Sequence, residues 1–84
     1  MVIYIIRDVN TLIEAIKHSR YVLYREYKID SKTMLRIRAG TIGFEKEYDL
    51  NDPKDKKEYD FIIEALKMFG ATKVEKVVRE EEFF

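Results

Sequence analysis

Residues 21–29 read Tyr-Val-Leu-Tyr-Arg-Glu-Tyr-Lys-Ile, and whether they form a strand or a helix decides the fold. The segment is rich in β-formers, and Leu23, Tyr27 and Ile29 keep to one period-2 face. Leu23 and Tyr27 also suit a helix continuing to about residue 28. The strand is the preferred reading.

Downstream lies the clearest hairpin of the chain. Residues 33–39 and 42–49 flank Gly40-Thr41, and Gly at the first central position suits a type II′ turn. That turn pairs Ala39 with Ile42, Ile37 with Phe44 and Leu35 with Lys46; on the opposite face it pairs Arg36 with Glu45 and Met34 with Glu47. A three-residue connection, Asp30-Ser31-Lys32, would set Tyr27 opposite Leu35 and Glu26 opposite Arg36. The expected inner face then holds Leu23, Tyr27, Ile29, Leu35, Ile37, Ala39, Ile42, Phe44 and Tyr48. The outer face carries a Glu26–Arg36–Glu45 ladder. Two features count against this register: the connection lacks a left-handed glycine, and Arg25 and Lys46 fall on the inner face.

Upstream, Val2, Ile3, Ile5 and Ile6 form an apolar run expected of a central strand covered on at least one face. Thr11-Leu12-Ile13-Glu14 reads as a capping box opening a helix whose inner face holds Leu12, Ala15, Ile16 and Ser19. Farther along, Asp52 is the expected N-cap and Pro53 the first residue of a second helix. Tyr59, Ile62, Ile63, Leu66 and Phe69 form its stripe, and Gly70 ends it. Residues 72–79 make a last strand at a sheet edge, before Glu80-Glu81-Glu82-Phe83-Phe84.

The expected fold is a single α+β domain over residues 1–84 with a mainly antiparallel sheet and two helices packed on one face. The order is β-α-β-β-β-α-β, or β-α-β-β-α-β with residues 21–28 helical. The second order is that of a ferredoxin-like sandwich, a fold with many unrelated functions.

A chain of 84 residues buries only about 60–65% of its unfolded surface, so its stability margin is thin. With no cysteine, disulfides and thiolate zinc sites are excluded, and self-association becomes the expected support. Many Lys, Glu and Arg with no glutamine is the compositional bias of hyperthermophiles. The six apolar residues at the start, with no basic leader, are too few for a signal peptide or membrane span, which points to the cytoplasm. Net charge is zero, yet residues 1–40 hold eight basic and four acidic side chains, and residues 41–84 eight and twelve. Such polarity suits an anionic partner, or complementary packing of two copies.

Catalysis finds few parts. His18 is the single histidine, and hydrolase triads lack their nucleophile turn. Glu26-Tyr27-Lys28, Asp30-Ser31-Lys32, Asp52-Pro53-Lys54 and Asp55-Lys56-Lys57 match the acid-x-Lys spacing of metal-dependent nucleases, a pattern that composition alone also produces. No catalytic residue, cofactor or metal is expected. For nucleic acid there is more. Between residues 17 and 38 seven Lys or Arg face two acids, interleaved with Tyr21, Tyr24 and Tyr27. Cations that track phosphates beside rings that stack on bases are the ingredients of single-strand binding, which nominates Arg20, Tyr24, Arg25, Lys28 and Arg38. Ile3-Tyr4-Ile5 resembles the aromatic-bearing first strand of an RNA-recognition motif, but no strand carries the paired aromatics of its second signature. The first-ranked expectation is a small non-catalytic binding or adaptor protein acting through homo-oligomerisation and protein contacts. Phe83 and Phe84 are its nominated interface residues, because two terminal rings left in water would be a liability.

Overall fold

The computed structural model describes residues 2–70 and 74–79. In chain order the elements are β1 (Tyr4–Ile6), α1 (Val9–His18), β2 (Val22–Ile29), β3 (Lys32–Ala39), β4 (Ile42–Tyr48), α2 (Pro53–Phe69) and β5 (Val74–Arg79). The strand order in the sheet is β1-β4-β3-β2-β5.

At the centre β2, β3 and β4 form an antiparallel meander, whereas β1 runs parallel to β4 and β5 parallel to β2. The sheet is therefore mixed, not mainly antiparallel. A helix between two strands restores the chain direction, so β1-α1-β2 and β4-α2-β5 each return parallel. Two hairpins in succession do the same, which leaves β2 parallel to β4. With residues 22–29 extended, the described residues form seven elements rather than the six of a ferredoxin-like order.

The β3–β4 hairpin has the expected register, from Met34 opposite Glu47 to Ala39 opposite Ile42. Gly40 alone in that turn is left-handed (φ 64°), as a type II′ turn requires. The β2–β3 register differs from expectation by one residue. Its turn is Asp30-Ser31, with Ile29 opposite Lys32, and Asp30 itself takes the left-handed backbone (φ 57°). Aspartate tolerates that region because its short side chain can bond locally, so no glycine was needed.

One residue of slip turns a strand over. Val22, Tyr24 and Glu26 face the helices, while Leu23, Arg25, Tyr27 and Ile29 take the other face. The proposed Glu26–Arg36–Glu45 ladder is thereby reduced to Arg36–Glu45. Arg25, an awkward inner residue in the expected register, moves to the uncovered face. Lys46 does stay on the helix side, where its Nζ reaches Glu58 Oε2 at 2.6 Å.

Asp8, not Thr11, caps α1. Its carboxylate accepts from the Thr11 amide at 3.0 Å and from the Thr11 hydroxyl at 2.6 Å. These bonds, the hydroxyl's foremost, hold the carboxyl below its ordinary value of 3.8. A full negative charge at the positive end of the helix is the better cap, and Thr11 becomes the residue three places inside. The second helix opens as expected: Asp52 accepts from the Lys54 amide at 3.0 Å and Pro53 is the first helical residue.

Leu12 and Ile16 of α1, with Ile62 and Leu66 of α2, pack on Val22, Tyr24, Leu35, Ile37, Ala39, Phe44 and Tyr48 in one core. Both helices therefore cover the same sheet face. The end strand β1 is an edge, not a centre. Its Tyr4 and Ile5 are exposed, as are Val2 and Ile3 before it, and Ile6 alone of that run packs against the core.

Inside the core Glu26 is buried, and Tyr24 and Tyr59 both donate their hydroxyls to its Oε1. Burial, then the bond to Glu26, pushes Tyr59 up to about 12 and raises Tyr24 as well. Burial, with the Glu58 charge beside it, raises Tyr48. Truncating Glu26 would strand two hydroxyls. Glu26→Ala is expected to cost about 2–4 kcal/mol in urea unfolding, and Glu26→Gln, which keeps one acceptor, about half that. The tyrosines supply a second expectation. Their folded values lie above the ordinary 10.0, so their contribution is complete below about pH 10 and is lost as pH rises through about 12. Unfolding followed by circular dichroism is expected to coincide with ionisation of the buried tyrosines, the later part of the tyrosinate absorbance, across that window; a folded protein with every tyrosine ionised would contradict it.

Candidate binding surface

The face away from the helices carries the chain's densest arginine group. Arg25 on β2 sits directly opposite Arg36 on β3, and Arg38 lies two residues farther along β3, opposite Leu23. Like charges in register across two strands are destabilising, so this arrangement does not serve the sheet itself. Arg36 has one counterion, with its Nε 2.8 Å from Glu45 Oε1, and its guanidinium lies 5.7 Å from the Tyr27 ring centroid. Arg38 Nε donates to the Gly40 carbonyl at 3.5 Å. Arg25 is exposed and has no acidic partner among the described residues.

Beside the arginines runs an apolar wall. A Cβ placed on Gly43 of β4 would lie 2.8 Å from Ile5 Cδ1 and 3.0 Å from Ile3 Cγ2. The missing side chain thus lets Ile5 of β1 and Ile3 just before it settle over the strand. Ile3, Ile5 and Leu23 border a shallow concavity of about 240 Å³ whose other side is Arg25, Arg36 and Arg38. A second concavity, about 600 Å³, joins it through Leu23 and Arg38 and adds His18, Arg20 and Tyr21. One continuous strip results, basic along its middle, apolar along one wall and with an exposed ring at one end.

The nominated residues divide. Arg25 and Arg38 lie in the strip, and Arg20 at its end. Lys28 is exposed on the opposite face, in register with Thr33. Tyr24 is buried in the core with its hydroxyl on Glu26, so it offers no face to a base. Tyr21 is the tyrosine that does, being 54% exposed. Arg36 also belongs to the strip; sequence reasoning assigned it to a neutralised ladder because the β2 register was off by one. Phe83 and Phe84 lie outside the described residues.

The acid-x-Lys segments have structural occupations. Glu26 accepts the two tyrosine hydroxyls, Asp30 forms a turn, Asp52 caps α2, and Asp55 accepts the Asp49 amide at 2.9 Å. His18 ends α1, 3.7 Å from Glu14. Among the described residues no cluster of three or more His, Cys, Asp or Glu could hold a metal ion. No described helix is long and apolar enough to cross a membrane. No protein-family model matches the chain, and neither a curated protein nor a solved structure matches it significantly.

The Arg36–Glu45 pair is about half exposed at both ends, so its attraction is heavily screened. A double-mutant cycle on the two residues is expected to return a coupling of about 0.2–1 kcal/mol by urea unfolding. A coupling several times larger would make the pair a structural clamp rather than a loosely held counterion.

Proposed function

We propose that this chain is a small non-catalytic binding protein that works as a homo-oligomer, its copies joined along β1. The supporting observation is an exposed apolar edge. Val2, Ile3, Tyr4 and Ile5 are 64%, 38%, 61% and 59% exposed, consecutive, and without a lysine, proline or bulge among them. The Tyr4 amide donates to the Thr41 carbonyl at 2.8 Å. In a parallel ladder alternate residues point to the neighbour, so the N–H and C=O of Ile5 face away from β4. They are a template for another strand.

A second copy is the occupant that fits. Two β1 strands meeting antiparallel about a twofold axis satisfy each other's outward groups and cover both apolar runs in one isologous contact. Phe61 and Met68, exposed and two turns apart on α2, offer further apolar area. A domain with so small a core gains most from burying additional surface. The cysteine-free, Lys- and Glu-rich composition supports a heat-adapted protein of a reducing compartment such as the cytoplasm.

Light scattering at tens of micromolar is expected to return at least twice the chain mass of 10.1 kDa. Ile5→Pro removes an outward donor while sparing the Tyr4 bond, and Tyr4→Lys places a charge on the edge. Each is expected to leave a folded monomer. A parent protein that already weighs 10.1 kDa sinks the proposal.

A further inference from the structure

The open face of the sheet concentrates positive charge where the fold gains nothing from it. Arg25 and Arg36 oppose each other, Arg38 is diagonal to Arg25, and Arg20 stands at the entry to β2. Within this group Arg36 is bonded to Glu45. Arg25 and Arg36, held against each other on an uncovered face, are placed to meet an anion from outside.

The neighbours of the arginines narrow its class. Guanidinium groups make forked bonds to phosphate and carboxylate alike, so charge alone does not choose. The strip also has a flat apolar wall of Ile3, Ile5 and Leu23 along the arginines, and the half-exposed Tyr21 ring beyond Leu23. The side chains of an Asp- and Glu-rich peptide offer no aromatic face to that ring. A duplex keeps its base faces inside its own stack. A single strand presents a row of phosphates and unstacked bases together, matching both the length of the strip and its ring.

We propose that this face binds single-stranded nucleic acid, its phosphates tracked by Arg20, Arg25, Arg36 and Arg38 and one base stacked on Tyr21. This surface is separate from the outward backbone edge of β1, so binding and self-association can fail independently. Four phosphate contacts correspond to a slope of log affinity against log salt of about −3, since each single-strand contact contributes about −0.7. The contacts are sequence-independent, so little discrimination among bases is expected.

The test is fluorescence anisotropy of a labelled oligothymidylate short enough to lie on one strip, its duplex with oligodeoxyadenylate, and a labelled poly-glutamate peptide, titrated with full-length protein across a salt series. The single strand is expected to bind tightest with a slope near −3, and Arg25→Gln to flatten that slope by about 0.7. Tyr21→Ala is expected to weaken oligonucleotide binding by roughly 5- to 150-fold without changing the slope. Melting curves separate this role from a structural one. Arg25→Gln relieves an opposed like-charge pair, so its melting temperature is expected to rise by about 1–4 °C while affinity falls. No anisotropy change with the single strand, tighter binding of the duplex or of poly-glutamate, or an Arg25→Gln protein that binds as well as the parent would each overturn the proposal.

Discussion

The left-handed backbone of Asp30 (φ 57°) holds the β2–β3 connection to two residues, and the facing of every β2 side chain depends on it. A turn one residue longer would exchange the two faces of that strand. Arg25 would then point at the helices and Glu26 at solvent; Tyr24 would leave the core. Both alternatives keep the hairpin pattern of β3 and β4. They differ in whether a charged side chain must be buried without a partner, which costs several kcal/mol. The observed register also buries a charge, that of Glu26, but supplies it with two hydroxyl donors.

That buried carboxylate links layers that apolar contacts alone would leave free to slide. Tyr24 reaches Glu26 along the same strand, and Tyr59 reaches it from α2 across the core. The Tyr59 ring stands edge-on to Tyr48 of β4 at 6.1 Å, extending the tie to a third element. Directional bonds of this kind define one placement of α2 over the sheet. The rest of its buried face, Ile62, Ala65 and Leu66, offers no such direction.

Local signals were legible in the sequence and long-range ones were not. The Gly40-Thr41 turn, the Asp52-Pro53 helix start and the strand character of residues 22–29 each follow from a few adjacent residues. The edge position of β1 does not. An apolar run reads the same whether neighbours cover it or whether two of its isoleucines merely lie over a glycine three strands later, at Gly43. The Asp8 cap was missed because Thr11 and Glu14 match a motif that a nearby carboxylate outcompetes. For the binding strip, Arg25, Arg38 and Arg20 were legible as basic residues near tyrosines. Which tyrosine shares their surface was not, since Tyr21 and Tyr24 are separated by the odd spacing that sends one outward and the other into the core.

The two proposed surfaces adjoin, and their geometry joins them. Ile3 and Ile5 border the strip as its apolar wall, and they also lie before and within the exposed edge strand. In a β1–β1 dimer the sheets continue into one another, so both open faces lie on one side of a ten-stranded sheet. The paired isoleucines of both copies then form a central apolar ridge, with an arginine group to either side related by the twofold axis. Two separate strips become one surface with doubled charge, and a strand long enough to cross the ridge engages both. Its second contact is intramolecular, so avidity exceeds single-strip affinity without any new side chain. Dimerisation would thus act on binding through span alone, strongly for long strands and hardly at all for those confined to one strip.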